Sequence, residues 1–296
     1  MTRRRAHLFA AVAALALTTA ATTAPTAATA QTVVSPVKMG PPAGATTPRL
    51  PSGKPDLNGM WGGPSGDAGE VNFDTVLASR RCAPTQIDCT EQTNQGIDGE
   101  FTNRTGPSRP MYKPEFWDRI QSLDMNSNKE DPLFVCQAYG VPRVGPPARI
   151  IQNDTDIIFL YRSGGASTLP ADYRAFPIDG RPHDPVRALD VTFYGDSVGK
   201  WEGDVLVIDS VGLNDLTWMS HGGYFTSDQK HTIERLWREG NTLFYQVTVD
   251  DPGVLTEPWV MAPRQVNLNT SPKAYLAEGE PCKDYDLNQM SSQIRH

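Results

Sequence analysis

The sequence predicts a mainly β protein, an antiparallel up-and-down β-barrel or sandwich with an irregular N-terminal extension and one short helix. The first observation behind this prediction is that residues 194–259 contain alternating apolar runs separated by turns rich in Gly, Asn and Asp. Such runs are typical of half-buried strands, and short turns between them predict an antiparallel meander. The second is that turn signals recur about every ten residues after Ala148, which disfavours βαβ units. The runs of the meander are residues 204–210, 232–238 and 242–249.

The N-terminus predicts a secretory signal peptide that covers residues 1–30. Residues 3–5 are arginines, residues 8–17 are apolar, and Ala28-Thr29-Ala30 forms a small-residue cleavage site. The apolar stretch is too short to cross a bilayer, and no later stretch of the sequence approaches that length. The paired arginines also fit a twin-arginine export signal. The sequence therefore predicts a secreted or periplasmic protein without membrane insertion.

The chain is acidic, with a formal net charge of −7. Removal of the predicted signal peptide takes away three arginines and no acidic residue, which lowers the charge to −10. An acidic chain without a Lys/Arg cluster argues against nucleic acid and anionic membrane surfaces as partners. A small hydrophobic molecule is the expected partner.

The cysteines are even in number, as expected for disulfides in an exported chain. Cys82 and Cys89 are close enough in sequence to favour a local bridge. Cys136 and Cys282 would then join the start of the β domain to the C-terminal tail. A metal site is the alternative, but the sequence has no C-x-x-C pair.

Composition divides the rest of the chain into three parts. Residues 31–56 are dense in Pro, Gly, Thr and Ala and predict an extended linker. Residues 57–134 predict an extension of loop and helix that packs on the β domain, with Trp61 in the core. Residues 135–296 predict the antiparallel β-barrel domain and a C-terminal tail.

Residues 113–124 predict the one helix, because Pro114 suits a first helical turn and apolar residues recur at helical spacing. These apolar residues are Phe116, Ile120 and Leu123.

Further strands are predicted between this helix and the meander. Residues 149–152 and 156–161 predict a hairpin around an Asn153-Asp154 turn. Residues 172–178 and 188–194 predict two more strands, the second ending in a turn at Gly195-Asp196.

Four segments resemble a large family of exported, mostly uncharacterised bacterial proteins. They read GDSVGKWEGDVLVIDSVGLND, HTIERLWREGNTLFYQVTVDDP with a following TEPW, DGRPH at Asp179–His183, and YGVPR at Tyr139–Arg143. The resemblance covers roughly residues 135–265 and implies a calycin or lipocalin-like barrel. It transfers no catalytic residues, and the tail GEPCKDYDLNQM departs from the usual His-containing ending of the family.

His221 and His231 are the leading candidates for catalysis. They bracket a loop in which Gly222-Gly223 permits close approach of a ligand to the backbone. Imidazoles titrate near neutral pH, so one ring suits a general base and the other a general acid, with Asp215 or Glu234 as the acidic partner. The alternative is that His221 bonds a backbone carbonyl and His231 begins a strand in solvent.

The alternation of side chains along a strand predicts which faces Glu234 and Asp209 occupy. Glu234 is predicted to share a face with Leu236 and Arg238, while Arg235 lies on the other face. An open lumen and a charged edge strand both accommodate this pattern. Asp209 lies at the end of a strand that is apolar on both faces, so it is either a structural hydrogen-bond acceptor or a perturbed catalytic acid.

A second polar group of residues predicts substrate binding. Arg181 and His183 follow the Asp179-Gly180 turn, where they suit a clamp on a carboxylate or phenolate or simply solvated charge. Arg235 is the other residue expected to orient a substrate. Aromatic residues facing a lumen would hold an apolar ligand, and the candidates are Tyr173, Trp218 and Tyr224.

The sequence thus predicts a cofactor-independent enzyme of lyase, isomerase or cyclase type that acts on a small hydrophobic or aromatic molecule. It has no G-x-S-x-G, Rossmann, P-loop or C-x-x-C-H motif. No metal is expected, although His221, His231 and one nearby acid would supply a 2-His-1-carboxylate set. The alternative function is a non-catalytic, lipocalin-like small-molecule binding protein.

Overall fold

The structure is a computed structural model that describes residues 46–62, 110–125, 130–132, 137–161, 172–220, 222–261 and 263–276. All of them belong to one compact unit, Val33–His296. The predicted signal peptide, His221 and all four cysteines lie outside the described residues. The predictions made for them stay predictions.

The described residues are mainly β, with two antiparallel sheets and one short α-helix. The first sheet has the order β1-β2-β3-β4, and the second has the order β10-β8-β7-β6-β5 with β9 paired to β8. The strands are β1 Gly59–Met60, β2 Arg149–Gln152, β3 Asp156–Leu160, β4 Tyr173–Pro177, β5 Asp196–Glu202, β6 Val205–Val211, β7 His231–Glu239, β8 Thr242–Asp250, β9 Trp259–Val260 and β10 Arg264–Asn267.

The predicted meander is confirmed as β6, β7 and β8, which pair as consecutive antiparallel neighbours. Glu234 stands opposite Ile208 on one side and Val247 on the other, so it faces the same way as both. Because β7 is central in its sheet, a protected edge strand does not explain the charges on it. The hairpin of β2 and β3 around Asn153-Asp154 is confirmed as well.

The helix prediction is confirmed with a slight shift. A 3-10 turn at Pro114–Phe116 leads into α1, Trp117–Met125. Ile120 is fully buried, and Phe116 and Leu123 pack against the core. Trp61 is also fully buried, as predicted. No helix among the described residues is long and apolar enough to cross a membrane.

The predicted strand at residues 188–194 is wrong. The carboxylate of Asp184 accepts the backbone N–H groups of Val186 and Arg187 and turns the chain into a 3-10 turn at Arg187–Leu189. Two of the apolar side chains that suggested a strand are exposed, Leu189 at 84% and Val191 at 56%. The next strand in the structure is β5, which begins at Asp196. The sequence pattern places this residue in the turn at Gly195-Asp196.

β5 begins at this turn because the glycine before it takes a left-handed conformation. Gly195 has φ +65°, and a Cβ at this position would collide with the carbonyl oxygen of Val211. The chain then pairs with β6 along its whole length, from Asp196 opposite Val211 to Glu202 opposite Val205.

The face that the strands turn inward is filled with side chains. Large apolar residues from both sheets are fully buried there, and they include Ile157, Phe159, Leu206, Ile208, Leu236 and Tyr245. The opposite face of the second sheet carries polar residues at one end, and this end holds the candidate site.

Candidate functional site

Two histidines converge on one carboxylate at the outer face of the second sheet. His231 begins β7 and Asp209 lies in β6, so that neighbouring strands bring His231 Nε2 to 2.6 Å from Asp209 Oδ1. His183 Nε2 lies 3.4 Å from the same oxygen. We call His183, Asp196, Asp209 and His231 the imidazole–carboxylate cluster.

Asp196, the first residue of β5, holds the other side of the His183 ring. His183 Nδ1 lies 2.9 Å from Asp196 Oδ2, and the backbone N–H of Asp184 donates to the same oxygen. The loop that carries His183 is also tied to β5 by a bond from the N–H of Gly180 to the carbonyl of Gly199. Both ring nitrogens of His183 therefore lie near carboxylate oxygens, but only the contact of Nδ1 with Asp196 is a hydrogen bond.

The electrostatics of the cluster keep Asp209 ionised. Burial acts to raise the pKa of Asp209, but the hydrogen bond and charge of His231, with the charge of His183, outweigh burial and lower it. Asp250, which stands opposite His231 in β8, has a raised pKa because of burial. The site thus holds a carboxylate charge beside two groups that can carry protons.

A groove of about 310 Å³ lies beside the cluster, between β4 and the start of β5. The two strands approach closely at one end, where a Cβ on Gly199 would lie 2.8 Å from the side chain of Ile178. The residues that line the groove include Tyr173, Arg174, Tyr194 and Arg187. Asp196 lines the groove too, so it belongs to both the groove and the cluster.

Glu234 lies away from the cluster, inside the fold. Its carboxylate Oε2 is 2.7 Å from Arg174 Nη1, and its Oε1 accepts a hydrogen bond from the hydroxyl of Tyr245. Both partners of the ion pair are buried. His231 and Glu234 have odd and even positions in β7 and so occupy opposite faces, which means that the structure does not bring them together.

Arg174 is the centre of this interior network. Its guanidinium also donates to the hydroxyls of Tyr161, Ser197 and Ser210. Burial opposes its charge, but the Glu234 carboxylate outweighs burial and raises the pKa of Arg174. The inward charge predicted for β7 is therefore held by a buried ion pair within packed side chains.

Lys230 is a buried ionisable residue that the sequence analysis did not single out. It is 3% exposed, and its Nζ donates to the hydroxyls of Thr217 and Thr226. Burial lowers its pKa to about 8, although the charges of Asp251 and Asp215 oppose the change. Alternation and spacing give no signal for this position, because it lies in a turn just before β7.

The remaining predicted residues have different surroundings. Asp215 is exposed. Trp218 and Tyr224 are buried in the core, where Tyr224 packs on Tyr112. Tyr173 is exposed at the groove.

The two predicted substrate-binding arginines are already paired. Arg181 makes hydrogen bonds of 2.6 to 3.1 Å with both carboxylate oxygens of Asp179 at the surface. Arg235 donates to Glu202 at 3.1 Å and is itself buried. Arg187, which belongs to none of the motifs found in the sequence, lies nearer to the cluster, with its Nε 3.4 Å from Asp196 Oδ1.

No group of three His, Cys, Asp or Glu residues in the described part of the chain could hold a metal ion. His221, which the 2-His-1-carboxylate alternative used, is not among these residues. Comparison with known proteins adds no assignment, since no protein-family model and no curated protein matches the chain.

Proposed function

We propose that this protein is an exported enzyme of lyase, isomerase or cyclase type that moves protons on a small molecule with an apolar body. The observation that carries the proposal is the position of Asp209 Oδ1, 2.6 Å from His231 Nε2 and 3.4 Å from His183 Nε2. A carboxylate that orients two imidazoles supplies a general base and a general acid in one place. The proposal invokes no cofactor.

The proton-transfer groups are partly open to solvent, which a substrate needs in order to reach them. The side chains of His183 and His231 are 24% and 29% exposed. Asp196 connects His183 to the groove, so a molecule bound in the groove lies next to the cluster. The four residues of the cluster also come from three of the segments on which the family resemblance rests.

We infer in addition that the two sheets close into a calycin-like barrel. Two backbone hydrogen bonds support this inference at one seam, from Gly62 N–H to the carbonyl of Asn267 and from Asn269 N–H to the carbonyl of Met60. The bond between Gly180 and Gly199 supports it at the other seam, beside β4 and β5. In this arrangement the groove is the place where the second seam opens.

A non-catalytic ligand carrier is the second candidate. The observation that favours it is that the rings of His183 and His231 are not among the residues lining the groove. A groove that binds a ligand without presenting it to an imidazole would serve transport or storage.

The test is an incubation of the purified protein with an extract of the culture medium of the producing organism, followed by mass spectrometry. We expect wild-type protein to deplete one metabolite and form a product of equal mass or of mass lower by one small leaving group. Asp209→Asn and His231→Gln should lower this rate by about 10² to 10⁴-fold, as removal of a general acid or base does. Arg181→Gln, at an exposed pair outside the groove, is the matched control.

Two results would count against the enzyme. One is turnover that Asp209→Asn and His231→Gln both leave at the wild-type rate. The other is a metabolite that is recovered bound and chemically unchanged, which would support the carrier.

A further inference from the structure

Two arginines line the groove, and they differ in burial and in the partners of their guanidinium groups. Arg174 is buried, and its terminal nitrogens are occupied by Glu234, Tyr161 and two serine hydroxyls. Arg187 has a side chain that is 63% exposed. Among the described residues its guanidinium has two long ion pairs, in which Nε lies 3.4 Å from Asp196 and 3.9 Å from Asp184. Its outer nitrogens therefore keep their donors for a ligand.

The backbone around Arg187 is fixed, which gives the side chain a defined origin. The carboxylate of Asp184 accepts the N–H of Arg187, and the turn is closed by a bond from Asp190 N–H to the carbonyl of Arg187. Gly212 packs under this turn, and a Cβ there would lie 2.8 Å from the carbonyl oxygen of Ala188. An arginine on such a support loses less freedom on binding a ligand than one on a flexible loop.

Aromatic side chains line the same groove. Tyr173 is 69% exposed there, and Tyr194 lines the groove as well. Aromatic side chains at a groove favour a ligand with an apolar part.

The acidic residues at the groove set the balance of charge. Asp196 Oδ2 is already engaged by His183 and by the N–H of Asp184. Asp190 is exposed at the rim and would repel an anion. The charge of Arg174 is balanced by Glu234. Arg187 is thus the group in the groove that can take up an anionic ligand, and the carboxylates of Asp190 and Asp196 oppose it.

We propose that the groove binds a small amphipathic carboxylic acid, with its carboxylate held by the outer nitrogens of Arg187 and its apolar part against Tyr173 and Tyr194. The planar guanidinium accepts a carboxylate through two parallel hydrogen bonds. This inference rests on the proposed function in that it names the substrate class, and it puts the carbon next to the carboxylate beside Asp196, whose own carboxylate contacts His183.

The test compares three probes of one shape, 2-naphthoate, 2-naphthamide and 2-naphthylmethylamine, by calorimetry and by amide shifts in NMR spectra of the full-length protein. We expect naphthoate to bind wild-type protein at least about tenfold more tightly than the amide, the ratio that one charge-assisted contact provides. Arg187→Gln should abolish this preference, and Arg181→Gln should retain it. Asp190→Asn should strengthen naphthoate binding.

The proposal is overturned if naphthoate and naphthamide bind equally, if the preference survives Arg187→Gln, if the amine binds best, or if naphthoate fails to bind at millimolar concentration. These outcomes are separate from the test of the enzyme. Turnover that depends on Asp209 would stand without a role for Arg187, and carboxylate binding by Arg187 would stand in a carrier.

Discussion

Single residues in this protein show two ways of burying a positive charge. The guanidinium of Arg174 lies against the carboxylate of Glu234, which raises its pKa despite burial. The amine of Lys230 has only hydroxyls as hydrogen-bond partners among the contacts described above, and burial lowers its pKa. The first arrangement keeps the charge at any pH at which the protein folds, and the second makes the charge depend on pH.

Lys230 predicts a rise in stability at alkaline pH. Its pKa is about 8 in the folded protein and 10.5 as the ordinary value, so the unfolded chain binds more protons between these limits. The free energy of unfolding should therefore increase as pH rises from 8, by at most about 1.4 kcal/mol per pH unit. Urea unfolding at pH 7.5 to 9.5, in steps of half a unit, measures the free energy of unfolding at each pH.

The control variants separate Lys230 from other titrating groups. Lys230→Met should remove the rise, while Lys273→Met, at an exposed position, should keep it. Measurements stop below pH 10 because burial raises the pKa values of Tyr112 and Tyr245, and ionisation of these tyrosines in the unfolded chain has the opposite sign. A flat profile in the wild type would contradict the prediction.

At the scale of elements, β5 depends on its glycines. Gly195 takes the positive φ that redirects the chain after the Arg187–Leu189 turn, and Gly199 lets β5 approach Ile178. The close approach of the chain after β4 to β5 therefore depends on the absence of a side chain at Gly199.

Gly195→Ala should destabilise the protein more than Gly203→Ala. Both glycines have positive φ, at +65° and +62°, so both variants have the same backbone strain. Only Gly195 has an obstacle at the Cβ position, the carbonyl of Val211, whereas nothing lies within 4 Å at Gly203. We expect a difference in the free energy of unfolding of at least about 1 kcal/mol in urea titrations. If both variants lower the free energy of unfolding equally, the chain accommodates the contact with Val211 without loss of stability, and the prediction is wrong.

At the scale of the whole molecule, the Arg174–Glu234 pair joins the two sheets through the core. Arg174 belongs to β4 in the first sheet and Glu234 to β7 in the second. Tyr161, which follows β3, and Tyr245 in β8 bond to the same network. The interior is thus packed with a polar network at its centre, in place of the open lumen that the sequence analysis considered.

Glu234→Gln should lower the free energy of unfolding by about 3 to 5 kcal/mol, because it leaves the Arg174 charge buried without its counter-ion. The variant keeps the shape of the side chain and an acceptor for Tyr245, so the loss reports the charge. The double variant Arg174→Met/Glu234→Leu should be more stable than Glu234→Gln, since it buries no charge. Denaturant unfolding measures all three proteins.

Asp179→Asn, at the exposed pair with Arg181, is the control and should leave stability nearly unchanged. A loss for Glu234→Gln as small as that of this control would contradict a structural role for the buried pair.

The local elements could be predicted from the order of the amino acids. Alternation with period two and short turns predicted β6, β7 and β8, and helical spacing with Pro114 predicted α1. These features depend on neighbours in the chain, which is why pattern reasoning finds them. Alternation also predicted the opposite faces of Glu234 and Arg235.

The contacts between residues distant in the chain could not be predicted in this way. His183, Asp196, Asp209 and His231 come from a loop and three strands, and no spacing in the sequence shows that they converge. The failure at residues 188–194 has the same cause, because the pairing of β5 with β6 overrides a local pattern that favoured a strand earlier in the chain. Proximity in this protein is set by strand pairing and by the loop tied to β5, and these are properties of the folded chain as a whole.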